Sequence, residues 1–140
     1  DEPYASLARG AAPADGWPII TAASKPRPRN IYSATKLGGE ALAAYFAEAY
    51  GMSIICIRVG KVEIDDVPAS ARAAAVWCSH RDIVQLVEKC IDGDDGIGFE
   101  VVYAVSDNPT GYRDWARAHE LVGYSPEDSA ADHGYSGSQV

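Results

Sequence analysis

Tyr32 and Lys36 stand four residues apart, so on a helix their side chains leave one face about a turn from each other. A phenol and an ammonium placed this way can meet a single ligand, and their chemistry is proton transfer. A tyrosine with its ordinary pKa near 10 is a poor acid-base group at neutral pH, but a neighbouring ammonium favours the phenolate. Lowering that pKa by about 3 units takes roughly 4 kcal/mol of differential stabilisation. Spacing alone carries little weight. Eight tyrosines and four lysines among 140 residues produce such a match by chance roughly once in five sequences.

Ser79, His80 and Asp82 bring together the residue types of a hydrolytic triad. A triad, however, is assembled across space, with a base lying between nucleophile and acid. Adjacent in sequence, these residues read instead as a helix cap, the serine hydroxyl serving an orphan amide and the acid reaching back. His119 and His133 lack partners at metal-ligand spacing, so no metal site is expected. Cys56, Cys78 and Cys90 are odd in number and lie in apolar runs, which reads as reduced core thiols of a cytoplasmic protein.

These groups need elements to hold them. Pro13, Pro18, Pro26 and Pro28, with Gly10 and Gly16, make residues 1–29 a loop-rich leading segment. From Ile31, Leu37, Ala41, Ala44, Tyr45 and Glu48 recur at steps of three and four, which predicts a helix over 31–50 closed by Gly51. Ser53 to Val59 is short, β-branched and apolar on both faces, as a strand within a covered parallel sheet is. Residues 60–72 form a loop at the carboxyl end of that strand, where open α/β sheets hold ligands. A helix is predicted from the Ser79 cap to near Asp92–Gly93, a second strand over Phe99 to Val105, and a last helix over 111–122. Tyr45, Phe46 and Trp115 read as core or interface aromatics. Residues 127–140 have little to bury, so residues 126–140 are expected to form a mobile tail beside a main body over 30–125.

Apolar residues at 47% with 23% charged are the proportions of a soluble globular domain, and 140 residues suffice for one core. Twenty acidic against twelve basic side chains give a net charge of −8. That charge repels phosphate backbones, so nucleic acid is not an expected partner. No apolar run approaches the ~20 residues that span a bilayer, and Asp1-Glu2-Pro3-Tyr4 does not begin as a signal peptide does. Neither a membrane anchor nor export is expected.

The string Pro28-Arg29-Asn30-Ile31-Tyr32-Ser33-Ala34-Thr35-Lys36-Leu37-Gly38-Gly39-Glu40 resembles the active-site helix of extended short-chain dehydrogenases, the NAD-dependent epimerase/dehydratase family. The likeness continues through Ile57-Arg58-Val59-Gly60-Lys61-Val62, Arg72, Trp77 to Asp82, Tyr103 to Asn108 and Val122 to Pro126, blocks similar to those of its uronate dehydrogenase-like members. An ordered series over about residues 26 to 130 is far more specific than any one block. The fold implied is α/β: the carboxyl-terminal part of a Rossmann-like doubly wound parallel sheet with flanking helices, without the first βαβ units.

The resemblance also implies roles. Tyr32 would exchange a proton with a substrate hydroxyl or carbonyl, and Lys36 would bind the nicotinamide ribose and lower the tyrosine pKa. Backbone at Gly60, Lys61 and Val62 would touch the nicotinamide end, though a lysine at 61 departs from the small residues expected. Arg72 would hold a sugar-acid carboxylate, with Ser33 on the substrate side. The cofactor would be NAD or NADP and the substrate a sugar or sugar acid such as a uronate. A nucleotide-sugar epimerase or dehydratase is the alternative within the family. The family's Gly-x-x-Gly-x-x-Gly, whose amides receive the pyrophosphate, does not occur. Its usual catalytic serine is also missing, since Ser6 has nearly the right separation but no strand to present it. Alone, the chain is therefore expected to be inactive, as a fragment would be. Another class of reading makes it a truncated, non-catalytic domain that self-associates, as family members pair, through the helix 31–50.

Overall fold

The computed structural model describes residues 3–7, 9 and 16–137. A single helical turn, α1 (Tyr4–Leu7), opens it. The long helix α2 (Ile31–Tyr50) begins where Asn30 Oδ1 accepts the Ser33 amide at 2.8 Å and Ser33 Oγ accepts the Asn30 amide at 3.2 Å, a reciprocal capping box. Gly51 ends it at φ 65°, a left-handed conformation that a side chain would strain. Strand β1 (Ile54–Val59) follows directly. After the loop come the turn α3 (Ala71–Ala74), helix α4 (His80–Ile91), strand β2 (Phe99–Ala104), helix α5 (Ala116–Val122) and a 3-10 turn over Ala130–His133.

β1 and β2 are parallel, in register from Ile54 opposite Phe99 to Val59 opposite Ala104. One face carries Ile55, Ile57, Val102 and Ala104, which pack with Cys78, Leu86, Ala118 and Tyr124 into the main core beneath α4 and α5. The opposite face, toward α2, carries Arg58 and Tyr103. There Arg58 chelates Glu40 of α2 through Nε and Nη2, each at 2.8 Å, which clamps the helix to the strand. Tight contact fixes the end of β1 as well: a Cβ on Gly60 would lie 2.2 Å from the Val76 carbonyl.

Both strands and α2 stand where the residue pattern places them, whereas three expectations need correction. The last helix starts at Ala116, not near 111, because residues 112–114 are drawn into a bridge with Ile20: the Ile20 amide bonds the Tyr112 carbonyl at 2.7 Å, and the Asp114 amide bonds the Ile20 carbonyl at 3.0 Å. Asp82 does not reach back to its cap. Its buried carboxylate accepts the Ser106 hydroxyl at 2.5 Å and the amides of Glu127 and Asp128. Nor do the residues after 126 lack something to bury. Ala130 is sealed against Ala74 and Trp77, with Tyr135 packed on them, and Asp128 takes the Ser79 hydroxyl at 2.6 Å. Residues 138–140 of that tail lie outside the described residues. Among those described, no helix is long and apolar enough to cross a membrane.

Candidate active site

Helix α2 runs into β1 through a short turn, so its first residues lie near the carboxyl end of that strand, the position at which open α/β sheets receive ligands. The capping box fixes that end of the helix, and the Glu40–Arg58 clamp fixes its roll on the sheet. The Lys36 ammonium then sits 5.3 Å from the centre of the Tyr32 ring. Tyr32 is 70% exposed, and neither its phenol nor the Lys36 ammonium bonds a described residue. Both line a cleft of about 670 Å³ between the segment 26–28, α2 and the sheet, with Ser33, Glu40, Arg58, Val59, Tyr103 and Arg113. A free phenol and a free ammonium on one wall of a cleft can move a proton to or from a bound hydroxyl.

Ser33 lies in the same cleft, but its hydroxyl is engaged in the cap, where it donates to Asn30 and accepts from the Arg29 and Asn30 amides. Gly60, Lys61, Val62 and Arg72 are not on its wall. The Gly60 amide is spent on the Ala104 carbonyl at 2.9 Å. Lys61 uses its amide on Val76 and its carbonyl on Cys78, and its side chain pairs with Glu63 at 3.3 Å. Val62 alone of the three keeps its backbone groups free for a ligand. Arg72 is exposed on α3 and pairs with no described residue.

Sequence reasoning missed Arg113 and Tyr103. The guanidinium carbon of Arg113 lies over the Tyr103 ring, 5.6 Å from its centre, and the Tyr103 hydroxyl accepts from Arg58 at 3.3 Å. Alternation along β2 could have placed Tyr103 on the face of Arg58. Nothing in the sequence shows that residue 113 folds back over it.

Ser79, His80 and Asp82 do not assemble a triad. The serine hydroxyl points to Asp128, the His80 ring bonds the Glu63 carbonyl at 2.8 Å, and Asp82 faces Ser106. Cys78 is buried, which pushes its thiol up to about 12, and burial raises Cys56 and Cys90 as well. A raised pKa keeps a thiol protonated and so a weak nucleophile. No group of metal-binding side chains occurs among the described residues.

Residues 10–76 match the profile of the NAD dependent epimerase/dehydratase family. The chain is 35% identical over 113 residues to an NAD-dependent glucose-6-phosphate dehydrogenase of Haloferax volcanii, a match covering 80% of this chain and 42% of that protein. It is also 35% identical over 111 residues to a uronate dehydrogenase of Pseudomonas putida, covering 79% and 40%. Among solved structures, a mutant uronate dehydrogenase from Agrobacterium tumefaciens complexed with NAD superposes with a TM-score of 0.76 at 26% identity, over 84% of this chain and 43% of that one. A glucuronic acid dehydrogenase from Chromohalobacter salexigens gives 0.75 at 25% identity, over 88% and 46%. The chain spans about two fifths of the length of these curated relatives.

Proposed function

We infer, for a chain that over residues 10–76 belongs to the NAD dependent epimerase/dehydratase family, that it is the substrate-side part of an NAD(P)-dependent oxidoreductase acting on a sugar or sugar acid such as a uronate. One observation carries the reading: an uncommitted phenol and an uncommitted ammonium lie side by side on the wall of an open cleft. In oxidation, Tyr32 Oη takes the proton of a sugar hydroxyl, with the Lys36 ammonium beside its ring. The nicotinamide cofactor, when bound, supplies the hydride acceptor. Its ribose end would be held by Lys36 on the cleft wall. The pyrophosphate finds no glycine-rich amides in this sequence, so we assign it to residues outside this chain.

The test joins the chain to a dinucleotide-binding half carrying the glycine fingerprint and follows NADH formation from glucuronate. Tyr32→Phe is expected to lower kcat by about 10²- to 10⁴-fold while NADH still quenches the tryptophan fluorescence. An undiminished rate in that variant would remove the assignment. Isomerisation without net NADH would favour the epimerase alternative instead.

A second reading rests on a different observation. Leu42, Tyr45 and Tyr50 of α2 are each more than half exposed, with Phe46 beside them. We propose that this face pairs with a second copy of the chain.

A further inference from the structure

Tyr32, Lys36 and Glu40 follow one another at four-residue steps, so they stand on one face of α2, and all three line the same cleft. Lys36 therefore has two neighbours on that face: the Tyr32 ring one turn before it and the Glu40 carboxylate one turn after it. An ammonium and a carboxylate four residues apart on a helix attract each other. Helical side chains also lean toward the amino end, so an unengaged Glu40 leans toward Lys36. Yet the Lys36 ammonium sits 5.3 Å from the centre of the Tyr32 ring and forms no ion pair with any described residue.

Arg58 accounts for the difference. Its Nε and Nη2 bond the two Glu40 carboxylate oxygens, each at 2.8 Å, a fork that occupies both ends of the carboxylate. Each side chain is 19% exposed, so this pair is screened less than one at the open surface. Arg58 is anchored further by Nη1, which meets the Tyr103 hydroxyl at 3.3 Å and the Ala22 carbonyl at 3.4 Å. The bond to Glu40 also raises the pKa of the guanidinium above its ordinary value, so it stays charged. Among the described residues Glu40 is the one carboxylate that lines the cleft. With its charge cancelled, no acid on the wall competes with Tyr32 for Lys36.

We propose that Arg58 is a positioning residue: by occupying both oxygens of Glu40, it keeps the Lys36 ammonium at Tyr32. Its value to proton transfer rests on the oxidoreductase reading of the same cleft, whereas the placement of Lys36 can be measured without it.

The test uses NMR of the whole chain with Lys36 assigned. It reads the ring-current displacement of the Lys36 methylene protons and their cross-peaks to the Tyr32 ring, both expected in the parent chain. R58M should abolish them, because Glu40 then draws Lys36 away. E40Q breaks the same clamp from its other side but leaves no carboxylate, so it should keep them, and the double variant R58M/E40Q should restore them. A clamp that only holds α2 on the sheet would make R58M and E40Q behave alike, and that result overturns the proposal. So does a Lys36 unmoved in R58M, whether Glu40 turns to solvent or to another cation of the cleft, Arg27 or Arg113. Circular dichroism checks folding, and if R58M does not fold, R58Q, which can still bond Glu40 but carries no charge, is read in its place. With the dinucleotide-binding half joined, R58M should lower kcat by up to about 10²-fold, the loss that a displaced catalytic group can bring, and E40Q in the same chain should recover most of it. The NMR asymmetry together with an undiminished rate in Tyr32→Phe would sink the oxidoreductase reading alone. Absence of the asymmetry beside a rate that does fall in Tyr32→Phe would sink the Arg58 assignment alone.

Discussion

Asp82 shows how far a residue's task can depart from its neighbourhood in sequence. Its type and position, three residues after Ser79, spell a capping box, and half of that holds: the Ser79 hydroxyl accepts the Asp82 amide at 3.0 Å. The carboxylate itself serves groups 24 to 46 residues away, which no local pattern encodes. Fully buried, it satisfies the Ser106 hydroxyl and two amides of the chain after Pro126. Asp82→Ala would leave those donors unpaired in a dry interior, and each such loss costs about 1–3 kcal/mol. Urea titration of this variant should show at least about 3 kcal/mol of destabilisation, and a loss within error would mean that water replaces the carboxylate. Asp128 completes the network. The Arg81 guanidinium and the Ser79 hydroxyl hold its carboxyl below the ordinary value of 3.8. A depressed acid contributes stability that is present above its unfolded pKa and lost as pH falls through the lower folded one. Stability should therefore decline as pH drops below about 4, and Asp128→Asn should flatten that limb of the curve. An unchanged acid limb in the variant would assign it to other carboxylates.

Elements were legible where their ends are coded locally and illegible where a distant segment decides them. Helix α2 is bounded by Asn30 with Ser33 at one end and Gly51 at the other, all within reach of its own backbone. β1 and β2 are short, β-branched and bounded by turns, so their existence follows from the residue pattern, and the two apolar faces of the first point to a covered parallel sheet, as observed. α5 is different. Residues 112–115 carry types that a helix tolerates, but Trp17 donates to the Gly111 carbonyl at 2.8 Å and Ile20 pairs across residues 112–114. Tertiary pairing with the leading segment outweighs a propensity of a few tenths of a kcal/mol per residue. Much of the site follows from the same logic. Tyr32 and Lys36 sit on the locally coded helix start, while Arg113 sits on the segment whose course the sequence does not reveal. Gly60 is the joint between β1 and the substrate-side loop, with a carbonyl where a Cβ would stand. Because the obstruction is backbone and not a flexible side chain, Gly60→Ala must push β1 away from Val76. Overpacking of this kind costs about 1–3 kcal/mol or more, and thermal melting should show it. A melting point equal to that of the parent chain would mean that the loop moves freely.

At the scale of the molecule, a parallel sheet is normally covered on both faces, and here the two coverings are unequal. α4 and α5 seal one face into a packed core. α2 reaches the other with Ala47 as its one buried residue. The outward side of α2 carries Leu42, Phe46 and Tyr50 at successive four-residue steps with Tyr45 alongside, and the three aromatic rings already touch, with centroids 5.5 to 6.3 Å apart. A stripe with this period on a helix of about 30 Å is the geometry by which helices pair side by side. Stable association needs about 1,200–2,000 Å² in total, which two such helices supply only if both aromatic clusters are covered. Sedimentation of the chain at about 100 µM is expected to show a dimer, and the paired substitution Leu42→Glu and Tyr45→Lys should return it to a monomer, because a desolvated unpaired charge costs more than the stripe gains. These positions lie outside the lining of the Tyr32 cleft, so the dissociated variant should keep any NADH quenching that the parent chain shows. A monomeric parent chain at that concentration would remove self-association through α2, and a dimer that survives both substitutions would place the contact elsewhere.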